Sequence, residues 1–165
     1  EIGENTFLSF SLPQGATDLY AYSTQYFKYF NAEGELIGSS TFESAGWGGS
    51  FEVFYDKFVY LEDWYPEYDY DGDIPEETGD TTFSRKVLIL TASSLTEATE
   101  IDKSDLAFFR NEIYARRGYI FKSEKYTSYF SDFDWYQAQF ESVDTLFTSE
   151  EKALTEYLLK LEKDQ

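Results

Sequence analysis

The sequence predicts an α+β protein: an N-terminal antiparallel β sandwich or open barrel over residues 1–95, followed by a small three-helix domain over residues 96–165. Two observations carry this prediction. Apolar residues alternate with period two as far as the run around Val87–Leu90, then recur at helical spacing beyond Leu95. Turn signals built on Gly, Asn and Asp divide the first part, whereas helix-capping signals divide the second.

The strands follow in order. Phe7–Leu12 alternates before Pro13 and Gly15, as a first or edge strand does. Gln25–Phe30, the polar turn Asn31-Ala32-Glu33-Gly34 and Glu35–Phe42 predict a hairpin, with Gly34 supplying the left-handed residue. A second hairpin is expected over Phe51–Glu62, turning at Asp56-Lys57. Thr82–Thr91 is expected as the last strand. It is apolar on both faces, Val87 and Ile89 on one and Leu88 and Leu90 on the other, which points to a central or covered position. Pro66–Asp80 carries seven acidic residues and no basic one, and is expected to form an exposed, mobile loop. Ser93–Glu100, small and polar, is expected to link the two parts.

The helices carry recognisable ends. Leu106, Phe109, Ile113 and Tyr114 form one stripe, with Asp102 as the N-cap and Gly118 as a left-handed stop after which Tyr119 folds back on Tyr114. Ser123 is expected to cap a short second helix bearing Tyr126, Tyr129, Phe130 and Phe133, ended by Asp134-Trp135-Tyr136. Thr148-x-x-Glu151 is a capping box opening a last helix with Leu154, Tyr157, Leu158 and Leu161 on its stripe.

Three of the four arginines lie at Arg110, Arg116 and Arg117. Arg110 and Arg117 are seven apart and fall on the apolar stripe. Guanidinium groups there need carboxylate partners or aromatic platforms, since an unpaired buried charge costs several kcal/mol. Asp132, Asp134 and Asp144 are the expected partners, and Trp135 or Tyr136 the expected platforms. The bland reading is that these arginines clamp the helices; the sharper one is a pocket for an anionic group.

The stretch Arg110-Asn111-Glu112-Ile113-Tyr114-Ala115-Arg116-Arg117-Gly118, with Tyr119–Ser123 after it and Tyr129-Phe130…Trp135-Tyr136 downstream, resembles the YARHG domain of bacterial extracytoplasmic proteins. The resemblance covers roughly residues 96–165. The motif histidine is Arg117 here, which leaves no imidazole to titrate. The resemblance implies a cell-envelope location and brings no established activity with it.

Composition narrows the classes of function. Formal net charge is −19, so a nucleic-acid partner is not expected. Cysteine and histidine are both absent, which removes thiolate chemistry and the commonest general base. No apolar run is long enough to span a membrane, and with no initiating Met the chain reads as an ectodomain, either secreted or tethered as a lipoprotein or by a membrane anchor. Aromatic residues make up 21% of the chain, more than a core of this size requires.

Those aromatics suggest a binding surface. Trp47 sits between glycines, and Trp64, Tyr65 and Tyr68 interleave with acids; rings plus carboxylate acceptors suit a sugar or a peptide. The alternative is that the rings pack over the sheet. From Glu67 the spacing Glu67, Asp69, Asp71, Asp73 echoes a calcium loop, although position twelve is Thr78 and Pro75 intrudes. Calcium is thus the one candidate ion, and no organic cofactor is expected. Catalysis would need a carboxylate pair or a Ser-Lys arrangement; there is no Gly-x-Ser-x-Gly sequence and no phosphate loop. The expected function is a non-catalytic binding or scaffold module of a bacterial cell-envelope protein, its partner an envelope glycan or protein. The rival is a carboxylate-dependent hydrolase of envelope polymers.

Overall fold

The computed structural model describes residues 5–16, 21–44, 50–69 and 76–165, without the side chains of residues 15, 16, 21, 22, 68, 69 and 76. It divides into two units, Glu1–Glu97 and Ala98–Gln165.

The first unit is built from two antiparallel sheets. One has the order β1 (Thr6–Ala16), β2 (Ala21–Phe30), β3 (Leu36–Ser44); the other runs β4 (Ser50–Phe54), β5 (Phe58–Asp69), β6 (Glu76–Leu90), β7 (Leu95–Glu97). Period-two alternation turns Phe27, Tyr29 and Phe42 of the first sheet towards Val59, Leu61, Leu88 and Leu90 of the second, and these seven form one buried cluster. β1 is an edge strand as expected, with a register shift between Pro13 and Gly15, where Pro13 has no N–H to pair. The β2–β3 turn holds Gly34 at φ +81°, and the Asn31 side chain accepts from the Glu35 N–H at 2.8 Å. Gly38 on β3 meets β7 so closely that an added Cβ would sit 2.5 Å from that of Leu95.

Several local expectations change. The second hairpin turns through Tyr55-Asp56-Lys57, which includes the expected Asp56-Lys57 and adds Tyr55, with Tyr55 and Asp56 both at positive φ. That left-handed pair matches the twist of a tight hairpin. β5 and β6 continue through most of the acidic stretch, pairing Tyr68 with Glu77 and Asp69 with Glu76, so Pro66–Asp69 and Glu76–Asp80 are strand rather than loop. Their ladder is set by the buried Phe58–Leu61 and Val87–Leu90 segments, runs outward in one register as far as Pro66 opposite Thr81, and continues after a register shift between Pro66 and Tyr68. Thr82–Thr91 is not the last strand. The stretch read as a linker supplies β7 and a 3₁₀ turn (Ala98–Glu100), which makes β6 central between β5 and β7.

Lys86 ties β6 to β7 and β3. Its Nζ donates to Glu97 Oε1 and to the Thr41 carbonyl, each at 2.7 Å, while the Ser40 hydroxyl donates to the same carboxylate at 2.8 Å. Burial alone would raise the Glu97 carboxyl, but the Lys86 and Ser40 hydrogen bonds outweigh it and hold the group below its ordinary 4.5. A depressed carboxylate contributes stability above its unfolded value, and that contribution is lost as pH falls through the folded value. Glu97→Gln should therefore cost roughly 1 kcal/mol at neutral pH and little once the pH is acid enough to protonate the carboxyl in the folded protein. Urea titrations at the two pH values check this; an equal deficit at both would count against it.

The second unit is helical: α1 (Lys103–Arg116), α2 (Glu124–Ser131) and α3 (Ser149–Asp164). Leu106 and Ile113 of α1 and Leu154 and Leu158 of α3 are fully buried on their stripes. The capping box at α3 is present in both directions: Thr148 accepts from the Glu151 N–H, and the Glu151 carboxylate accepts from the Thr148 N–H at 2.9 Å. Asp102 and Ser123 occupy the N-cap positions of α1 and α2, though neither side chain makes a capping bond. α2 ends at Ser131, ahead of Phe133 and Trp135.

Candidate functional site

The end of α1 is a Schellman motif. The Tyr119 N–H reaches the Tyr114 carbonyl at 3.1 Å and the Gly118 N–H reaches that of Ala115 at 2.9 Å. Gly118 has φ +81°, and the Tyr119 ring lies 6.0 Å from that of Tyr114, as the sequence predicts. Gly118 also anchors the returning chain. Its carbonyl accepts from the N–H groups of Gln139 and Phe140 at 2.8 and 2.9 Å, and the Ile120 N–H donates to the Phe140 carbonyl at 2.8 Å. An added Cβ at Gly118 would meet the Gln137 carbonyl oxygen at 3.0 Å. Gly118→Ala is therefore expected to cost about 1–2 kcal/mol, combining left-handed strain with a tight backbone contact. An unshifted urea midpoint would contradict the assignment.

The arginines are paired, but not with the expected partners. Arg110 forks onto Glu162 with contacts of 2.5 and 3.2 Å, and Arg117 onto Glu151 at 2.6, 3.0 and 3.2 Å. Arg116 reaches Glu112 at 3.1 Å, and its guanidinium lies 3.7 Å from the Trp135 ring centre. Asp132, Asp134 and Asp144 are all exposed. The reason is geometric. Arg110 and Arg117 share a stripe, and the helix running antiparallel along that stripe is α3, which presents Glu151 and Glu162 on one face. Trp135 fills the platform role predicted for it. Asn111 donates to the Ala107 carbonyl at 2.7 Å, and Tyr136 donates its hydroxyl to the Tyr119 carbonyl at 2.8 Å. Burial pushes the Tyr136 phenol up, so it remains a donor.

Ala115, Arg116, Arg117, Gly118, Trp135, Gln137, Gln139 and Leu146 line a cleft of about 470 Å³. Both guanidinium groups at the cleft are locked in place, and the segment carrying Gln137 and Gln139 is pinned to Gly118. The two carboxylates behind the arginines, Glu112 and Glu151, are buried and do not line the cleft.

A second constellation lies on the β5–β6 hairpin of the first unit. Trp64 stands directly opposite Phe83, and Glu62 opposite Arg85. Trp64 is 39% and Phe83 49% exposed. Arg85 lies 4.8 Å over the Phe83 ring and donates to Glu62 at 2.6 Å, and the Tyr60 hydroxyl donates to the same carboxylate at 2.7 Å. Burial, reinforced by Glu62, pushes the Tyr60 phenol well above its ordinary range. Tyr65 is half-buried and opposite Thr82. Trp47 and the side chain of Tyr68 lie outside the described residues.

Of the calcium candidates, Glu67 is exposed on β5 and its carboxylate accepts from the Thr82 hydroxyl. Asp69 is in the same strand, its side chain outside the described residues, as are Asp71 and Asp73. Among the described residues no group of three or more acidic side chains converges on a metal position.

The residues that sequence reasoning missed left some signal. Glu112 and Arg116 both stand in the motif and only their pairing was not expected, although their four-residue spacing announces it. Phe83 and Arg85 follow once the hairpin register is known. Gln137 and Gln139 left no signal, because their place depends on the backbone pairing with Gly118.

No curated protein and no solved structure matches the chain. Among the described residues no helix is long and apolar enough to cross a membrane. The model of the YARHG domain matches residues 82–163, a span that begins inside β6, ahead of residue 96, and takes in β7 and all three helices. Through those residues the chain belongs to the YARHG domain family, an extracytoplasmic family of unknown function.

Proposed function

We propose that the chain is a non-catalytic binding module of a bacterial cell-envelope protein, secreted or tethered at the surface, that takes an envelope glycan on the outer face of the β5–β6 hairpin. The observation that carries this is the exposed pair Trp64 and Phe83 beside the ion pair of Glu62 and Arg85. An aromatic face offers the CH face of a sugar ring a flat apolar partner, and a fixed carboxylate and guanidinium beside it suit hydroxyl groups. The carboxylate at the platform, Glu62, accepts from both Arg85 and Tyr60, which fits a fixed acceptor better than the proton donor a hydrolase needs. The reading requires no cofactor and no calcium, and the net charge of −19 speaks against nucleic acid.

Calorimetric titration with soluble cell-wall glycan fragments tests it. Trp64→Ala is expected to weaken binding by about thirty-fold, roughly 2 kcal/mol, with the fold unchanged. Glycans that fail to bind, while extended peptides do so through Trp64, would replace the ligand with a peptide. Unchanged affinity in Trp64→Ala would remove the hairpin as the site.

A further inference from the structure

The cleft at the end of α1 has the composition of a receptor for a different chemistry, and it stands independently of the hairpin reading. Arg116, Arg117, Gln137 and Gln139 line it, together with Trp135. Arg116 is 25% and Arg117 34% exposed at the side chain, so each reaches solvent while remaining paired. Their orientations are fixed in advance: Arg116 by Trp135 and Glu112, Arg117 by three contacts to Glu151. The Gln139 amide donates to Gln137 Oε1 at 3.2 Å, so the Gln137 oxygen is engaged as an acceptor and its NH₂ is presented as a donor. Preorganised groups of this kind lose little freedom when a ligand arrives.

We infer that this cleft binds a free carboxylate carried beside an amide, as at the C-terminus of a peptide, with Arg116 and Arg117 meeting the carboxylate and Gln137 and Gln139 the amide. A guanidinium carries five N–H donors in one plane, so it can bridge to a second carboxylate while paired with a first. The overall negative charge of the chain opposes an anion at long range, but solvent-exposed charges farther than about 10 Å away are largely screened at 0.1 M salt. Glu112 and Glu151 offset the charge of the two arginines at the cleft, so a carboxylate there is held by directed N–H donors rather than by net charge, and the α1 carbonyls of Tyr114 and Ala115 are occupied by the Schellman bonds.

The test is an NMR titration of the full chain with N-acetylglycylglycine, with its C-terminal amide, and with acetate. The free acid should shift the Trp135 indole N–H and the Gln137 and Gln139 side-chain NH₂ signals, and should bind roughly ten-fold tighter than either comparator. Gln139→Ala, at an exposed position, should weaken the acid several-fold with no change in melting temperature. Arg117→Lys keeps a cation against Glu151 but loses the planar fork, and should lose about ten-fold. Equal binding of acid and amide overturns the inference, as does an absence of shifts at those three residues. So does wild-type affinity in Gln139→Ala, a readout that stands even if Arg117→Lys does not fold.

Discussion

Arg117→Ala is expected to destabilise the helical unit by about 3–5 kcal/mol, far more than a surface ion pair is worth. The asymmetry of the pair explains the size. Arg117 keeps a third of its side chain in solvent, but the Glu151 carboxylate is 1% exposed. Removing the cation strands a charge that has almost no access to water. Glu151 is also the third residue of α3 and closes its capping box, so the loss falls on the start of that helix as well. The pairing joins the C-terminal end of α1, where a cation is favoured, to the N-terminal end of α3, where an anion is favoured. Glu151→Gln should cost less than Arg117→Ala, because an amide oxygen still accepts from the Thr148 N–H while Arg117 can turn to water. A double-mutant cycle between Arg117→Ala and Glu151→Ala, followed by urea denaturation, is expected to give a coupling of at least about 1 kcal/mol. Additive losses would mean that the two residues act separately. Arginine stands where the motif has histidine, so this position carries a guanidinium in place of a group whose ordinary titration falls near neutrality.

The parts of this protein that the sequence made legible are those governed by local rules. The change of period near Leu95, the Gly118 stop with Tyr119 returning to Tyr114, and the Thr148–Glu151 capping box each depend on a few neighbouring residues, and each stands where it was read. What local rules could not supply was pairing at a distance. The partners of Arg110 and Arg117 come from α3, 52 and 34 residues away, whereas proximity in sequence favoured Asp132 and Asp134. Charge misled in the same way over residues 66–69 and 76–80; residues 70–75 of that expected loop lie outside the described residues. An acidic stretch reads as loop, yet the ladder set by Phe58–Leu61 against Val87–Leu90 runs on to Pro66 opposite Thr81 and, past a register shift, pairs Tyr68 with Glu77 and Asp69 with Glu76. The candidate site shows the same division. Arg116, Gly118 and Trp135 were named from the motif, but Gln137 and Gln139 join them only through the backbone bonds to Gly118. On the hairpin Trp64 was visible as an aromatic among acids, and Phe83 became its partner only through strand register.

Phe130→Ala is expected to be as costly as the loss of Arg117, about 3–5 kcal/mol, for a different reason. Phe130 is the fully buried ring of α2. It stacks on Phe121 at 5.1 Å and contacts Tyr129, Trp135 and Tyr136 at centroid distances of 5.0, 6.1 and 5.9 Å. The cluster of Ala115, Phe121 and Phe130, with Tyr114, Tyr119, Tyr126, Trp135 and Tyr136 packed around it, is what holds the short α2 and the 133–136 segment against the end of α1. An eight-residue helix has little stability of its own in water, so its position rests on this packing. Truncating Phe130 leaves a cavity bordered by flat, stiff rings that cannot collapse into it without leaving their rotamers. Phe130→Leu should recover much of the loss, since it refills most of the volume. The damage should also reach the cleft, because Trp135 is both a neighbour of Phe130 and the platform under Arg116. Phe130→Ala should therefore lose near-UV aromatic dichroism at temperatures where its helical far-UV signal is still intact. A loss below about 1 kcal/mol, with the aromatic signal unchanged, would show instead that the rings close over the gap and that Trp135 is held by Arg116 and Phe133 alone.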